Sequence, residues 1–189
     1  MTKNLKFLAI CGSLRERSYN AALLRAVESL LPAYVEMMTF NIAPIPAYNR
    51  DVEVAGLPES VTALIMQIRA ADAMLIATPE YNHSIPGVLK NALDWASRGQ
   101  NGQPSALNGK PLGVMSVVTG RFGGVRAQEH MIQIAAGVNM RQMMRPSVII
   151  PQAAKVFDEN LKLVDASTIE LVRNFVTALA DWTTAHKNS

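Results

Sequence analysis

The sequence predicts an α/β domain, a parallel sheet with helices on both faces joined by right-handed crossovers. Three observations lead there. The stretches KFLAIC (6–11), VEMMTF (35–40), AMLIAT (73–78), PLGVMSVV (111–118) and SVIIP (147–151) are short, mostly apolar runs of strand length. Apolar residues at helical spacing separate most of them. The ends of the first, third and fourth runs lead into loops rich in glycine and polar residues, where α/β sheets bind ligands.

In chain order, Gly12 closes the first strand, and Ala21, Leu23, Leu24, Val27, Leu30 and Leu31 mark a helix from Asn20 that Pro32 stops. After the second strand, NIAPIPAYNRDVEVAGLP (41–58) carries three early turn signals and predicts a long surface loop. A helix from Pro58 to Ala70 precedes the third strand, Ala73 to Thr78. In PEYNHS (79–84), Ser84 can cap a helix that keeps Pro86 in its first turn and ends near Ser97. Polar, glycine-bearing residues 99–109 predict another loop. Beyond the fourth strand, TGRFGGVRAQ (119–128) opens a helix reaching about Ala136, and a last helix is predicted from Glu159 to Thr183. No linker or repeat divides residues 1–189, so a single domain is expected.

At 49% hydrophobic and 17% charged residues, the chain has the composition of a folded globule. Its net charge of +3 comes from scattered Lys and Arg with no aromatic interleaving, which argues against nucleic acid and leaves anionic small molecules as partners. The lone cysteine, Cys11, allows no internal disulfide. The opening apolar run ends at Gly12, shorter than a signal peptide needs, and no run approaches a membrane span; a cytoplasmic location without membrane attachment is expected. His83, His130 and His186 are dispersed, with no metal-binding spacing, so no metal is expected.

The most chemically loaded stretch is GSLRERSYN (12–20), set where a strand hands over to a helix. Free N–H groups and the helix dipole attract anions there. Ser13 and Ser18 offer hydroxyls, Asn20 an amide and Arg15 a planar fork that can grip two phosphate oxygens. A plain Ser/Asn helix cap beside solvated arginines is the competing account. The G-x-G-x-x-G dinucleotide pattern and the P-loop lysine are both missing, so a cofactor bearing one phosphate fits better.

Together with PEYNHSIPGVLKNALDW (79–95), this stretch resembles the NAD(P)H-dependent FMN reductase family of flavodoxin-like proteins, bacterial quinone and chromate reductases included. The resemblance implies a three-layer α/β/α sandwich with a five-stranded parallel sheet of order 2-1-3-4-5, bound FMN, NADPH or NADH as electron donor, and a homodimer or homotetramer. It assigns the FMN phosphate to Ser13, Arg15, Ser18 and Asn20. Pro79, Glu80, Tyr81 and Asn82 fall along the ribityl chain and the ring, and Thr119, Gly120 and Arg121 near the ring, with Ser116 in the neighbouring segment. The implied activity passes hydride from nicotinamide to flavin and then to quinones or related small acceptors, chromate and azo compounds among them. A free-flavin reductase and an electron carrier are the alternatives.

Because the cofactor carries the electron chemistry, no catalytic nucleophile is expected. Several residues keep more than one reading. Glu80 can serve the flavin, engage a partner subunit or point to solvent, Asn82 can bond the flavin or hold its turn, and His83 can meet substrate or only solvent. Arg121 and Arg126 can attract an anionic donor or lie on an ordinary surface. Lys90, Asn91 and Asp94 are either interfacial or part of an exposed helix face, Trp95 is read as a packing anchor, and residues 41–50 as a cover for the ring from a second protomer.

Overall fold

A computed structural model describes residues 4–99 and 102–186. Its elements are β1 (Leu5–Cys11), α1 (Tyr19–Glu28), β2 (Val35–Phe40), α2 (Arg50–Ala55), α3 (Glu59–Ala70), β3 (Ala73–Thr78), α4 (Gly87–Ala96), β4 (Pro111–Val117), α5 (Val125–Gly137), β5 (Arg141–Gln142), β6 (Val148–Ile150) and α6 (Ala166–His186). All strand pairs are parallel, in the order β2-β1-β3-β4-β5, with β6 also paired to β4.

Alternation along the central strands divides the core into two layers. Leu8, Ile10, Met74, Ile76, Leu112 and Val114 face α3, α4 and α5, meeting Leu64, Leu89 and Met131. Phe7, Ala9, Leu75, Met115 and Val117 face α1 and α6, meeting Leu23, Val27, Phe175 and Leu179. With both faces covered, β3 and β4 are buried along their whole length, the reason their sequences read as unbroken apolar runs. The register sets Cys11 beside Ala77 and Thr78 beside Ser116, so the loops after β1, β3 and β4 leave the sheet along one edge.

The order expected from the resemblance is present, with an added piece. The fifth position is filled twice: β5 pairs with Pro111 and Leu112, β6 with Met115 to Val117, and residues 144–147 depart from the ladder between them, after Met143 donates to the Leu112 carbonyl. Pro146 lies in that gap and has no N–H to offer a ladder. SVIIP is therefore only the second half of this position.

Three boundaries differ from the sequence reading. The 41–58 loop contains α2, whose first turn is capped by Asn49 through Asp51 N–H at 2.8 Å. The helix after β3 begins at Gly87 behind Pro86, and Ser84 closes a turn instead of capping. The last helix starts at Ala166, because the Asp165 carboxylate accepts the Thr168 N–H at 2.7 Å and caps it there. Leu161 and Val164 mimic helical spacing, but Leu161 is left-handed (φ 60°) and Phe157 pairs with Leu163 in an antiparallel bridge. Positions 100 and 101 of the expected 99–109 loop lie outside the described residues.

Candidate functional site

At the carboxyl edge of the sheet, Ser13, Arg15, Ser18, Tyr19, Asn20, Pro79, Glu80, Tyr81, Val117, Val118 and Thr119 line one cleft of about 100 Å³. Larger grooves, such as the one of about 430 Å³ between α1 and residues 160–163, lie away from these loops, and size alone does not select a site.

The loop after β1 owes its shape to short polar contacts. Ser18 is buried and caps α1, its hydroxyl accepting the Ala21 N–H at 3.3 Å. That leaves the N–H groups of Tyr19 and Asn20, first in the helix and both lining the cleft, without acceptors in their own helix. Ser13 accepts the Arg15 N–H at 3.3 Å and lies 3.5 Å from the Tyr81 hydroxyl, while the Arg15 guanidinium is exposed at the rim. The Asn20 side chain turns inward: it donates to the Val117 carbonyl at 2.9 Å and accepts the Val117 N–H at 3.2 Å. The Cys11 thiol lies beneath the loop, 3.8 Å from the Ser18 hydroxyl, and burial pushes its pKa up, which keeps it a neutral thiol.

The loop after β3 is a tight reversal. Tyr81 and Ser84 exchange both backbone hydrogen bonds, at 2.9 and 3.0 Å, and Asn82 and His83 between them are both left-handed, with φ of 48° and 65°. Such strain in non-glycine residues is usual at ligand sites. The turn holds the Tyr81 ring out at 43% exposure beside the cleft. From α5, His130 Nδ1 is 2.8 Å from the Ser84 hydroxyl and props the turn.

Glu80 lines the cleft, and its side chain is engaged within the chain and does not point to solvent. Its carboxylate accepts the N–H groups of Arg126 (3.0 Å) and Ala127 (3.4 Å) and pairs with the Arg126 guanidinium at 3.2 Å. It thus caps α5 from outside, where Gly124, the residue before the helix, offers no side chain. Arg126 in turn lies over the Phe122 ring, 4.9 Å from its centroid.

Ser116 is fully buried under the third loop. It donates to the Gly123 carbonyl at 2.6 Å and accepts from the Gln128 amide at 2.9 Å, so its part is to hold that loop. Gly123 and Gly124 have φ of 66° and 89°, and a Cβ on Gly124 would stand 2.8 Å from the Ser116 Cβ. Thr119, Gly120 and Arg121 are exposed on the same loop. Of the expected residues, Asn82, Ser116, Gly120 and Arg121 fall outside the cleft lining; Tyr19, Val117 and Val118 join it. Gln128 and His130 carried no sequence signal, because only the docking of α5 brings them to these loops.

Residues 41–50 fold back onto their own chain. Asn91 accepts the Tyr48 N–H at 2.7 Å and donates to the Pro46 carbonyl at 2.8 Å; the indole of the fully buried Trp95 donates to the same carbonyl at 2.8 Å. Asn91 is a clip for this loop, and Trp95 is the anchor expected.

A family model described as NADPH-dependent FMN reductase matches residues 5–155. The chain belongs to that family.

An NAD(P)H-dependent FMN reductase of Pseudomonas aeruginosa is 43% identical over 182 residues, covering 96% of this chain and 97% of that protein. A quinone reductase of Escherichia coli is 37% identical over 186 residues, 96% and 97% of the two chains. The flavoenzyme FerB of Paracoccus denitrificans, an NAD(P)H:(acceptor) oxidoreductase, superposes with a TM-score of 0.87 at 34% identity, over 96% and 98% of the chains. The flavodoxin-like fold and FMN as the cofactor of the NADPH-dependent FMN reductase family stand on these matches. Among the described residues no helix is long and apolar enough to cross a membrane, and no group of three or more His, Cys, Asp or Glu is placed to hold a metal.

Proposed function

We propose that this chain is an FMN-dependent NAD(P)H oxidoreductase that delivers reducing equivalents to quinones or related small acceptors, chromate and azo compounds included. The observation that carries this is the convergence of residues from three loops, 13–20, 79–81 and 117–119, on one cleft that carries the Ser13 hydroxyl and the Arg15 guanidinium. Its single lining carboxylate from those loops that faces α5, Glu80, is already taken by N–H groups and Arg126. Such a donor set suits a phosphate at one end and the electron-rich edge of a flavin at the other.

When bound, FMN supplies the hydride chemistry, and the protein supplies position and access. The Ser13 hydroxyl, the Arg15 guanidinium and the N–H groups of Tyr19 and Asn20 hold the phosphate, while Ser18 and the Asn20 side chain fix the helix end that presents them. Pro79, Glu80, Tyr81 and Asn82 would hold the ribityl chain through their backbone, and the Tyr81 ring would wall the isoalloxazine. Thr119 and Gly120 bring backbone N–H groups toward the ring, and Ser116 supports their loop. The exposed Arg121 draws the anionic donor, NADPH or NADH. We assign no catalytic acid, base or nucleophile. Tyr81 in the cleft lining and Phe122 on the loop after β4, 43% and 58% exposed, support a contact with a second copy in a homodimer or homotetramer. Residues 1–189 act as one cytoplasmic domain.

Anaerobic stopped-flow absorbance tests the proposal: the FMN-reconstituted protein is mixed with NADPH or NADH, then with a quinone. Saturable loss of the oxidised-flavin band, reversed by quinone, is expected. Stoichiometric FMN binding without reduction by either donor replaces the enzyme with an electron carrier. The name of the Pseudomonas aeruginosa relative favours a second reading, free FMN as acceptor; replacing quinone with excess FMN in the second mix decides between them.

A further inference from the structure

Residues 14–17 project from the fold. Leu14 is 49% exposed, Arg15, Glu16 and Arg17 are exposed, and among the described residues the side chains of Leu14, Arg15 and Glu16 make no hydrogen bond. The side-chain bond this segment makes to a distant element is from Arg17 Nη2 to the Glu159 carbonyl, at 2.7 Å across 142 positions of sequence. Two residues on, the Tyr19 ring packs against the buried Phe157, centroids 5.4 Å apart.

The same stretch of chain also braces the loop after β4. Val118 donates to the Ile150 carbonyl (3.0 Å), Ala153 to Val118 (3.0 Å) and Gln152 to Gly120 (2.9 Å). Residues 150–164 thus run as a strap past two of the three cleft loops. The strap is rigid where it meets Arg17, because Asp158 Oδ1 accepts the N–H groups of Asn160 (3.0 Å) and Lys162 (2.8 Å), locking the turn that presents the Glu159 carbonyl.

Building on the phosphate assignment proposed above, we infer that Arg17 is a positioning residue for the FMN phosphate, acting through this strap. Its bond to Glu159 holds residues 13–18 in the shape that lets Ser13, Arg15 and the start of α1 converge on one anion. Without it the exposed segment must be ordered at each binding event, and that entropy is subtracted from phosphate affinity.

The test titrates apoprotein with FMN and, separately, with riboflavin, which lacks the phosphate, following quenching of flavin fluorescence. Wild type, Arg17→Ala, Arg17→Lys and Asp158→Ala are compared, with the apoprotein Tm of each. Arg17→Ala and Asp158→Ala are each expected to raise the FMN Kd about threefold to tenfold, the size of one net hydrogen bond, with riboflavin Kd and Tm little changed; Arg17→Lys recovers part of the loss. Unchanged FMN affinity in Arg17→Ala overturns the inference, as does a parallel loss of riboflavin affinity. Loss in Arg17→Ala with none in Asp158→Ala also overturns it, since Arg17 would then touch the phosphate itself. A wild type that binds FMN no more tightly than riboflavin removes the phosphate assignment instead, a separate failure.

Discussion

The Asn20 side chain does the work of a missing strand residue for Val117, donating to its carbonyl at 2.9 Å and accepting its N–H at 3.2 Å. Val118 turns its N–H toward β6, so Val117 faces the β3 side, where the strand has ended at Thr78 and Pro79 has no N–H to give. One amide satisfies both groups and docks the first turn of α1 on the sheet.

Asn20→Ala leaves the Val117 N–H and C=O buried without partners. A loss of about 2 to 4 kcal/mol of stability is expected, read by denaturant unfolding of the apoprotein. A loss below about 0.5 kcal/mol would mean that water replaces the amide and that the pairing is incidental.

Glu80 joins the loop after β3 to α5, so Glu80→Ala should free the start of that helix at a cost of about 1 to 2 kcal/mol, the scale of a lost cap. Glu80→Gln keeps an acceptor and costs less. Amide hydrogen exchange at residues 125–128 is the direct measurement, with faster exchange in the alanine variant expected; protection equal to wild type would show that another group caps the helix.

Gly124→Ala combines a left-handed backbone with a Cβ pressed against Ser116. Its expected cost is about 1 to 3 kcal/mol, together with weaker FMN binding because the third loop must shift. Gly120→Ala is the control: a Cβ there meets nothing within 4 Å, so thermal unfolding should be close to wild type. Equal effects of the two substitutions would contradict the packing described.

Hydrogen bonds from Ser167 and Thr168 hold the Asp165 carboxyl below its ordinary pKa. Because they favour the ionised form in the folded protein, their contribution is complete above the unfolded value near ~3.9 and is lost as pH falls through the depressed folded value. Asp165→Asn should therefore lower Tm at neutral pH and bring the variant and wild type together in acid. A Tm gap that persists unchanged at the acid end would show that the charge on Asp165 is not what caps α6.

Much of the site was legible because its chemistry is local. Ser13, Arg15 and Ser18 fall within one strand-to-helix junction, and the caps and anion donors of such a junction follow from residue type and spacing. PEYN was legible as a loop at the same sheet edge. The fates of Glu80, Ser116 and the Asn20 side chain were not, because each is decided by a partner 46, 12 or 97 positions away: Arg126, Gln128 and Val117.

The strand periods and the glycine and proline punctuation determined by themselves the alternating α/β architecture and the edge of the sheet at which the polar loops gather. Only the tertiary structure decided that the fifth strand position is split around Pro146, that α6 begins at Ala166, and that the stretch between them is tied to the loop after β1 through Arg17 and Glu159. The physical reason is range: a strand or helix pattern repeats within a few residues, whereas a carbonyl accepts whichever donor the packed chain brings within about 3 Å, and nothing in the local sequence names that donor.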